Sequence, residues 1–96
     1  MELPERWAAL STEQSDKFTD ELHREVCEVH VLHATSMKAV ARLKGRDDFL
    51  FCGLDASAPC FVVHLTWKKE QSPDFPWATK FASFEDFNNN WNRIWD

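Results

Sequence analysis

The sequence contains few of the residues that mark fibrous or disordered chains. Its 96 residues include only two glycines and four prolines, and no tract is biased toward one residue type. With 44% hydrophobic residues, this composition argues against collagen-like, mucin-like and wholly disordered proteins. A chain of this length can form one compact domain with a core and is too short for two. We therefore expect a single domain over residues 1–96.

Positive charge is also scarce. Eleven lysines and arginines stand against sixteen acidic residues, which gives a formal net charge of -5. Proteins that bind nucleic acid normally concentrate basic residues on one face, because neutralising phosphates supplies most of their affinity. The sequence therefore argues against a nucleic-acid partner and leaves a basic protein partner open, since an acidic surface raises encounter rates with cations.

Long apolar runs are absent as well, and we expect no secretion leader. No stretch approaches the roughly 18 to 20 apolar residues of a membrane span. The first residues, Met1 to Arg6, lack a basic start followed by an apolar run. We expect a cytoplasmic protein without a membrane partner.

Cysteines are few and widely spaced. An odd number of thiols without tight spacing favours reduced, partly buried cysteines over a disulfide framework. No cofactor motif accompanies them, so no cofactor is predicted. The three cysteines are Cys27, Cys52 and Cys60.

Helical periodicity begins after residue 10. Ser11 and Gln14 have the spacing of an N-cap pair, and an apolar stripe follows at intervals of four, four and three residues. This pattern predicts an amphipathic helix from about 12 to about 28, with Glu25 among its outward polar residues. The stripe consists of Phe18, Leu22, Val26 and Val29.

A second helix is predicted at the C-terminal end, from about 84 to 95. Ser83 and Asp86 resemble a capping box with Asp in place of Glu. The apolar stripe of this helix consists of Phe84, Phe87, Trp91 and either Ile94 or Trp95.

Between the helices, alternating and β-branched segments predict strands at 37–44, 48–52 and 60–67, with a short edge strand at 79–81. Short connections favour an antiparallel meander. Pairing Phe51 with Phe61 keeps both faces chemically consistent and sets Asp48 opposite His64. On the other side, the same criterion sets Leu43 opposite Phe49.

Under this register one face of the sheet is apolar and should receive both helices. The predicted fold is therefore α+β and two-layer, an antiparallel meander of three to four strands with an N-terminal and a C-terminal helix packed on one face. The opposite face is mixed, and its apolar half needs a cover. Two covers are available: the loop that carries Phe75 and Trp77, or the same face of a second subunit in a homodimer. The mixed face consists of Lys38, Val40, Arg42, Lys44, Asp48, Leu50, Cys52, Cys60, Val62, His64 and Thr66.

Asp48 beside His64 is the strongest catalytic candidate, with Thr66 and Arg42 predicted nearby. A carboxylate fixes the tautomer of an imidazole and raises its basicity, as general-base catalysis requires. The alternative is a cross-strand pair that only makes a half-buried histidine tolerable. No nucleophile or oxyanion motif accompanies the pair, which favours the alternative.

A metal site would use His23, Cys27 and His30, which lie on neighbouring turns of the first helix, with His33 just beyond. The absence of paired Cys-x2-Cys spacing argues against a metal. The alternative is that His23 is solvated, Cys27 borders the buried stripe, and His30 and His33 are polar residues of a helix end and a loop.

Aromatic residues around the proline-bearing loop form a candidate binding surface. In so small a domain such residues more often belong to the core. The candidate surface consists of Trp67, Phe75, Trp77, Leu50 and Val62.

Two sequence segments, Asp47–Phe51 and Val62–Trp67, resemble motifs of a family of small uncharacterised bacterial proteins. Members of that family carry similar D-D-x-L-F and V-V-H-L-T-W sequences on chains of about this length. The resemblance implies a bacterial, single-domain, cytosolic protein, and it carries over no activity and no catalytic residue.

Two functions of different classes follow. The favoured one is a protein-binding or regulatory interaction module that uses the mixed sheet face and the aromatic loop. The alternative is a small hydrolase-like enzyme in which Asp48 orients His64 as general base.

Overall fold

The computed structural model describes residues 3–25, 37–53, 58–66 and 77–95. No helix among these residues is long and apolar enough to cross a membrane. In chain order, the elements are β1 (Trp7–Ala9), α1 (Thr12–Glu25), β2 (Met37–Leu43), β3 (Asp48–Gly53), β4 (Cys60–His64), β5 (Trp77–Phe81), α2 (Phe84–Asn90) and a 3₁₀ helix (Trp91–Trp95).

The strands form one antiparallel sheet whose spatial order follows the chain, β1-β2-β3-β4-β5. The predicted α+β class and antiparallel meander are confirmed. The described part of the sheet has five strands rather than three or four, because Trp7–Ala9 pairs with the last residues of β2. The predicted edge strand is also present and begins two residues earlier than expected, at Trp77.

Both helices begin as predicted. The Oγ of Ser11 accepts a hydrogen bond from the Gln14 N–H at 3.2 Å, and the Oγ of Ser83 accepts one from the Asp86 N–H at 3.1 Å. These contacts satisfy amide groups that the first turn of a helix leaves unpaired. The expected continuation of the first helix over residues 26–28 lies outside the described residues.

Each face of the sheet carries its own core. The α1 core lies between α1 and the face that bears Phe49 and Phe51; the α2 core lies between α2 and the opposite face. The buried members of the α1 core are Phe18, Leu22, Met37, Ala39, Phe49, Phe51, Phe61, Val63 and Leu65. Those of the α2 core are Trp7, Ala41, Leu43, Leu50, Cys52, Cys60, Val62, Phe81 and Phe87.

The prediction that both helices pack on one face of a two-layer domain is therefore wrong: the helices cover opposite faces, giving three layers. The reason is an irregularity in β2, where the register shifts between Ala39 and Ala41. A bulge of this kind sends the residues beyond it to the other face. Ala41 lies opposite Leu50 and belongs to the α2 core, while Arg42, not Leu43, lies opposite Phe49.

Candidate functional site

A tight turn between β2 and β3 builds the first half of the candidate site. Gly45 has φ +79°, a left-handed conformation that side-chain-bearing residues rarely adopt. The turn closes with a hydrogen bond from the Arg46 N–H to the Leu43 carbonyl at 3.1 Å. It brings the Arg46 guanidinium to the start of β3, where Nε donates to Oδ2 of Asp48 at 2.7 Å. Arg46 was not among the predicted site residues, because nothing in the sequence pattern indicates this contact.

Asp48 and His64 form the second half of the site. They are directly opposed on β3 and β4, as predicted. The N–H of the next residue, Leu65, donates to the Asp47 carbonyl. Asp48 and His64 are therefore a non-hydrogen-bonded pair of the antiparallel ladder, in which opposed side chains approach closely. Nδ1 of His64 lies 3.2 Å from Oδ1 of Asp48. The Asp48 side chain is 3% exposed and the His64 side chain 47% exposed.

This geometry gives one buried carboxylate two cationic or proton-bearing neighbours. Asp48 holds the imidazole through Nδ1, which fixes the ring and directs Nε2 away from the carboxylate. Among the described residues, the His64 imidazole has no hydrogen-bond partner other than Asp48. The arrangement can hold a solvent-accessible imidazole as a proton acceptor or as a hydrogen-bonding group for a bound molecule.

Thr66 does not join this site. Its backbone N–H and its Oγ1 hydroxyl both donate to Oε1 of Glu25, at 2.7 Å and 2.8 Å. Glu25 is fully buried, so its predicted place among the outward residues of α1 is wrong. The signal was present in the sequence, since Phe18, Leu22 and Glu25 follow one another at helical intervals of four and three.

Glu21 lies one turn before Glu25 on α1. Burial raises the pKa of Glu21, but hydrogen bonds with Arg24 and Glu25 outweigh it and leave the pKa below its ordinary value. The contact of Glu25 with Thr66 connects the end of α1 with the residues that follow β4.

Arg42 lies on the opposite face from Asp48 and His64, contrary to prediction. The shift in β2 turns it toward the α1 side, where its guanidinium lies 5.3 Å from the centre of the Phe49 ring. Its Nε donates to the Arg46 carbonyl at 2.9 Å and its Nη2 to Oδ1 of Asp47 at 3.0 Å. Arg42 therefore stabilises the turn that positions Arg46.

The structure also changes which residues of the predicted binding surface can contact a partner. Leu50 and Val62 are buried in the α2 core, so neither is accessible to a partner. Trp67 and Phe75 lie outside the described residues. Trp77 is the first residue of β5 and lies opposite His64 in the sheet register.

Of the four predicted metal ligands, only His23 lies among the described residues. His23 lies in the last turn of α1, whereas Cys27, His30 and His33 lie outside the described residues. The part of the chain that the structure describes contains no group of three or more potential metal ligands.

The free edge of β5 is a second candidate site. The backbone N–H of Leu65 donates to β3. In a sheet the backbone groups of successive residues point alternately to the two neighbouring strands, so the even-numbered residues of β4 direct their N–H and C=O groups toward β5. Their partners on β5 are the odd-numbered residues, among them Thr79. Ala78 and Lys80 therefore direct their N–H and C=O groups outward, where no described strand pairs with them.

A groove of about 400 Å³ adjoins this edge on the α2 side. Asp86 in the groove accepts hydrogen bonds from the Ala82 N–H and from Nδ2 of Asn90. Lys80 and Arg93 form no ion pair with any described residue. The donors to Asp86 are neutral, so its negative charge remains beside the positive charge of Arg93, while Lys80, opposite Phe61, belongs to the α1 face of β5. Its lining residues are Thr79, Lys80, Phe81, Asp86, Asn90 and Arg93.

Cys52 and Cys60 are free thiols, directly opposed on β3 and β4. Their Sγ atoms are 2.6 Å apart in a hydrogen-bond contact. Burial is the main cause that raises the pKa of Cys52, and it also raises the pKa of Cys60. Cys60 precedes His64 by four residues on the same strand, about 13 Å at the usual rise per residue, so neither thiol adjoins the imidazole.

Comparisons of the chain with models of known protein families, with curated proteins and with solved structures found no significant match.

Proposed function

We propose that the chain is a protein-interaction module that binds an extended segment of a partner protein along β5. The observation that carries this proposal is the edge position of β5, with the backbone groups of Ala78 and Lys80 directed away from the sheet. An unpaired strand edge is a ready template for a further strand, and many recognition domains bind peptides in this way.

The charge of the adjoining groove indicates the chemistry of the partner. Arg93 on the α2 side and Lys80 on the α1 face contribute two positive charges along this edge, against the one negative charge of Asp86. A partner segment that carries an acidic side chain beside the added strand fits this charge. We therefore infer an acidic extended segment as the ligand.

This surface replaces the mixed sheet face that the sequence suggested. The helix α2 already covers the apolar half of that face, so Leu50 and Val62 need no partner. The β5 edge still begins beside the predicted catalytic pair of Asp48 and His64, because Trp77, the first residue of β5, lies opposite His64. A segment bound along β5 would thus have one end close to the imidazole.

Replacing Lys80 with proline tests the proposal. Proline removes an N–H that points away from β4, so the native sheet should tolerate it. Peptides selected from a displayed random library against the wild-type protein should bind Lys80→Pro at least about tenfold more weakly, roughly 1.4 kcal/mol. Isothermal calorimetry with the selected peptides measures this loss, and bound peptide should slow amide hydrogen exchange at Ala78 and Lys80.

Lys80→Ala is the matched control, since it removes the charge and keeps the N–H. It should weaken binding of acidic peptides less than Lys80→Pro does. Equal binding to the wild type and to Lys80→Pro would refute strand addition. If sedimentation shows a wild-type dimer that Lys80→Pro converts to a monomer, a second copy of the chain occupies the edge and the proposed partner is wrong.

The second candidate function is general-base hydrolysis by His64. It is favoured by the 3.2 Å contact with buried Asp48 and by the exposure of the imidazole. If the chain hydrolyses an activated ester such as p-nitrophenyl acetate, His64→Ala should lower kcat/KM by about 10²-fold or more, with peptide binding retained. The kcat/KM of Asp48→Asn should lie between that of the wild type and that of His64→Ala. Turnover that is unchanged in His64→Ala, or no faster than with free imidazole, eliminates this function.

A further inference from the structure

The opposed cysteines of β3 and β4 lie in a geometry suited to covalent linkage. The N–H of Gly53 donates to the Pro59 carbonyl, which places Cys52 and Cys60 in a pair without mutual backbone hydrogen bonds. In such pairs the Cα atoms are about 4.5 Å apart, inside the range of about 4.4 to 6.8 Å that disulfides span. The thiols already contact each other, so no backbone movement is needed to join them.

We propose that Cys52 and Cys60 form a reversible intramolecular disulfide by exchange with a small-molecule disulfide, and that opening of α2 controls the access of this oxidant. The proposal is independent of the partner-binding function.

The exchange takes place in two steps. Cys52, the more exposed of the pair at 7% against 1%, loses its proton, and its thiolate attacks one sulfur of the small disulfide. A mixed disulfide forms and one small thiolate leaves. The thiolate of Cys60 then attacks the Cys52 sulfur and expels the second small thiolate. The two protein thiols are oxidised, the small disulfide is reduced to two thiols, and these take up the two protons.

The fold explains why access should depend on α2. Both sulfurs belong to the α2 core, in which Phe87 is fully buried. A solvated oxidant cannot reach the pair while that core is closed. The helix has only seven residues, and short terminal elements open at lower free energy than the whole domain.

Oxidised glutathione is the probe that tests the site. In a Cys27→Ser background, which prevents mispairing, incubation should lower the protein mass by two hydrogens. Digestion should yield one linked pair of peptides that contains Cys52 and Cys60, and dithiothreitol should reverse the change. The oxidised protein should also melt at a higher temperature, because the link restricts the unfolded chain.

Two matched helix-cap variants test whether opening of α2 controls access to the cysteines. Ser83→Ala removes the cap of α2 and should speed oxidation about fivefold, the population change expected for the usual effect of a lost cap. Ser11→Ala removes the corresponding cap of α1 on the opposite face and should leave the rate unchanged. The oxidation rates of both variants should rise with pH through the neutral range, because the thiolate is the attacking species.

Several results would overturn the proposal. One is a native protein that keeps both thiols under excess oxidised glutathione and forms the link only after denaturation. Another is a product that stops at a mixed disulfide, since it would show that the second thiol cannot attack. Equal acceleration by the two cap variants would show that α2 is not the gate.

Discussion

Phe87→Ala is expected to lower the free energy of unfolding by about 3 to 5 kcal/mol. The Phe87 ring is fully buried and makes edge contacts with Trp7 and Phe81, with ring centres 5.1 and 5.6 Å apart. Truncation removes these contacts and leaves a cavity under α2. Urea unfolding followed by far-ultraviolet circular dichroism measures the loss.

The partly buried Phe84, on the same helix, provides the control. Phe84→Ala should cost clearly less, because this ring retains contact with water before truncation. Phe87→Leu gives a graded result if the alanine variant does not fold. A change below about 1 kcal/mol for Phe87→Ala would contradict the placement of α2 as the cover of the second face.

Glu25→Ala is expected to lower the free energy of unfolding by about 2 to 4 kcal/mol. The substitution removes the carboxylate that accepts the N–H and hydroxyl of Thr66, and it empties space at the end of α1. A buried donor that loses its acceptor keeps its desolvation penalty, which makes the loss larger than that of a surface hydrogen bond. Chemical denaturation at neutral pH gives the value.

Glu25→Gln keeps a carbonyl oxygen toward Thr66 and should cost less than Glu25→Ala. Asp20→Ala, an exposed acidic position on the same helix, should change stability by no more than about 0.5 kcal/mol. If Glu25→Ala and Asp20→Ala have equal effects, the buried carboxylate does not stabilise the junction of α1 and β4.

Most of the sheet could be predicted from the sequence because β3 and β4 are uninterrupted apolar strands joined by a short connection. The pairing of Phe51 with Phe61 and of Asp48 with His64 followed from keeping each face consistent, and both pairs are confirmed. The pairing of β2 could not be found in this way. Met37, Ala39, Ala41 and Leu43 alternate without a break, so the pattern gives no sign of the irregularity at Val40.

The same irregularity explains which parts of the candidate site were predicted. The contact between Asp48 and His64 was predicted because the register of β3 and β4, on which they lie, was predicted correctly. Arg42 was expected beside them and lies on the other face, one residue out of register. Arg46 reaches Asp48 through a turn conformation that periodicity does not describe, and Thr66 lies beyond the end of β4, where strand alternation no longer fixes its direction.

The shift in β2 also bears on how the domain unfolds. The first half of β2 belongs to the α1 core through Met37 and Ala39, and the second half belongs to the α2 core through Ala41 and Leu43. Unfolding of β2 therefore removes part of both cores at once. The two cores are thereby tied into one cooperative unit, and the three layers should melt in a single transition.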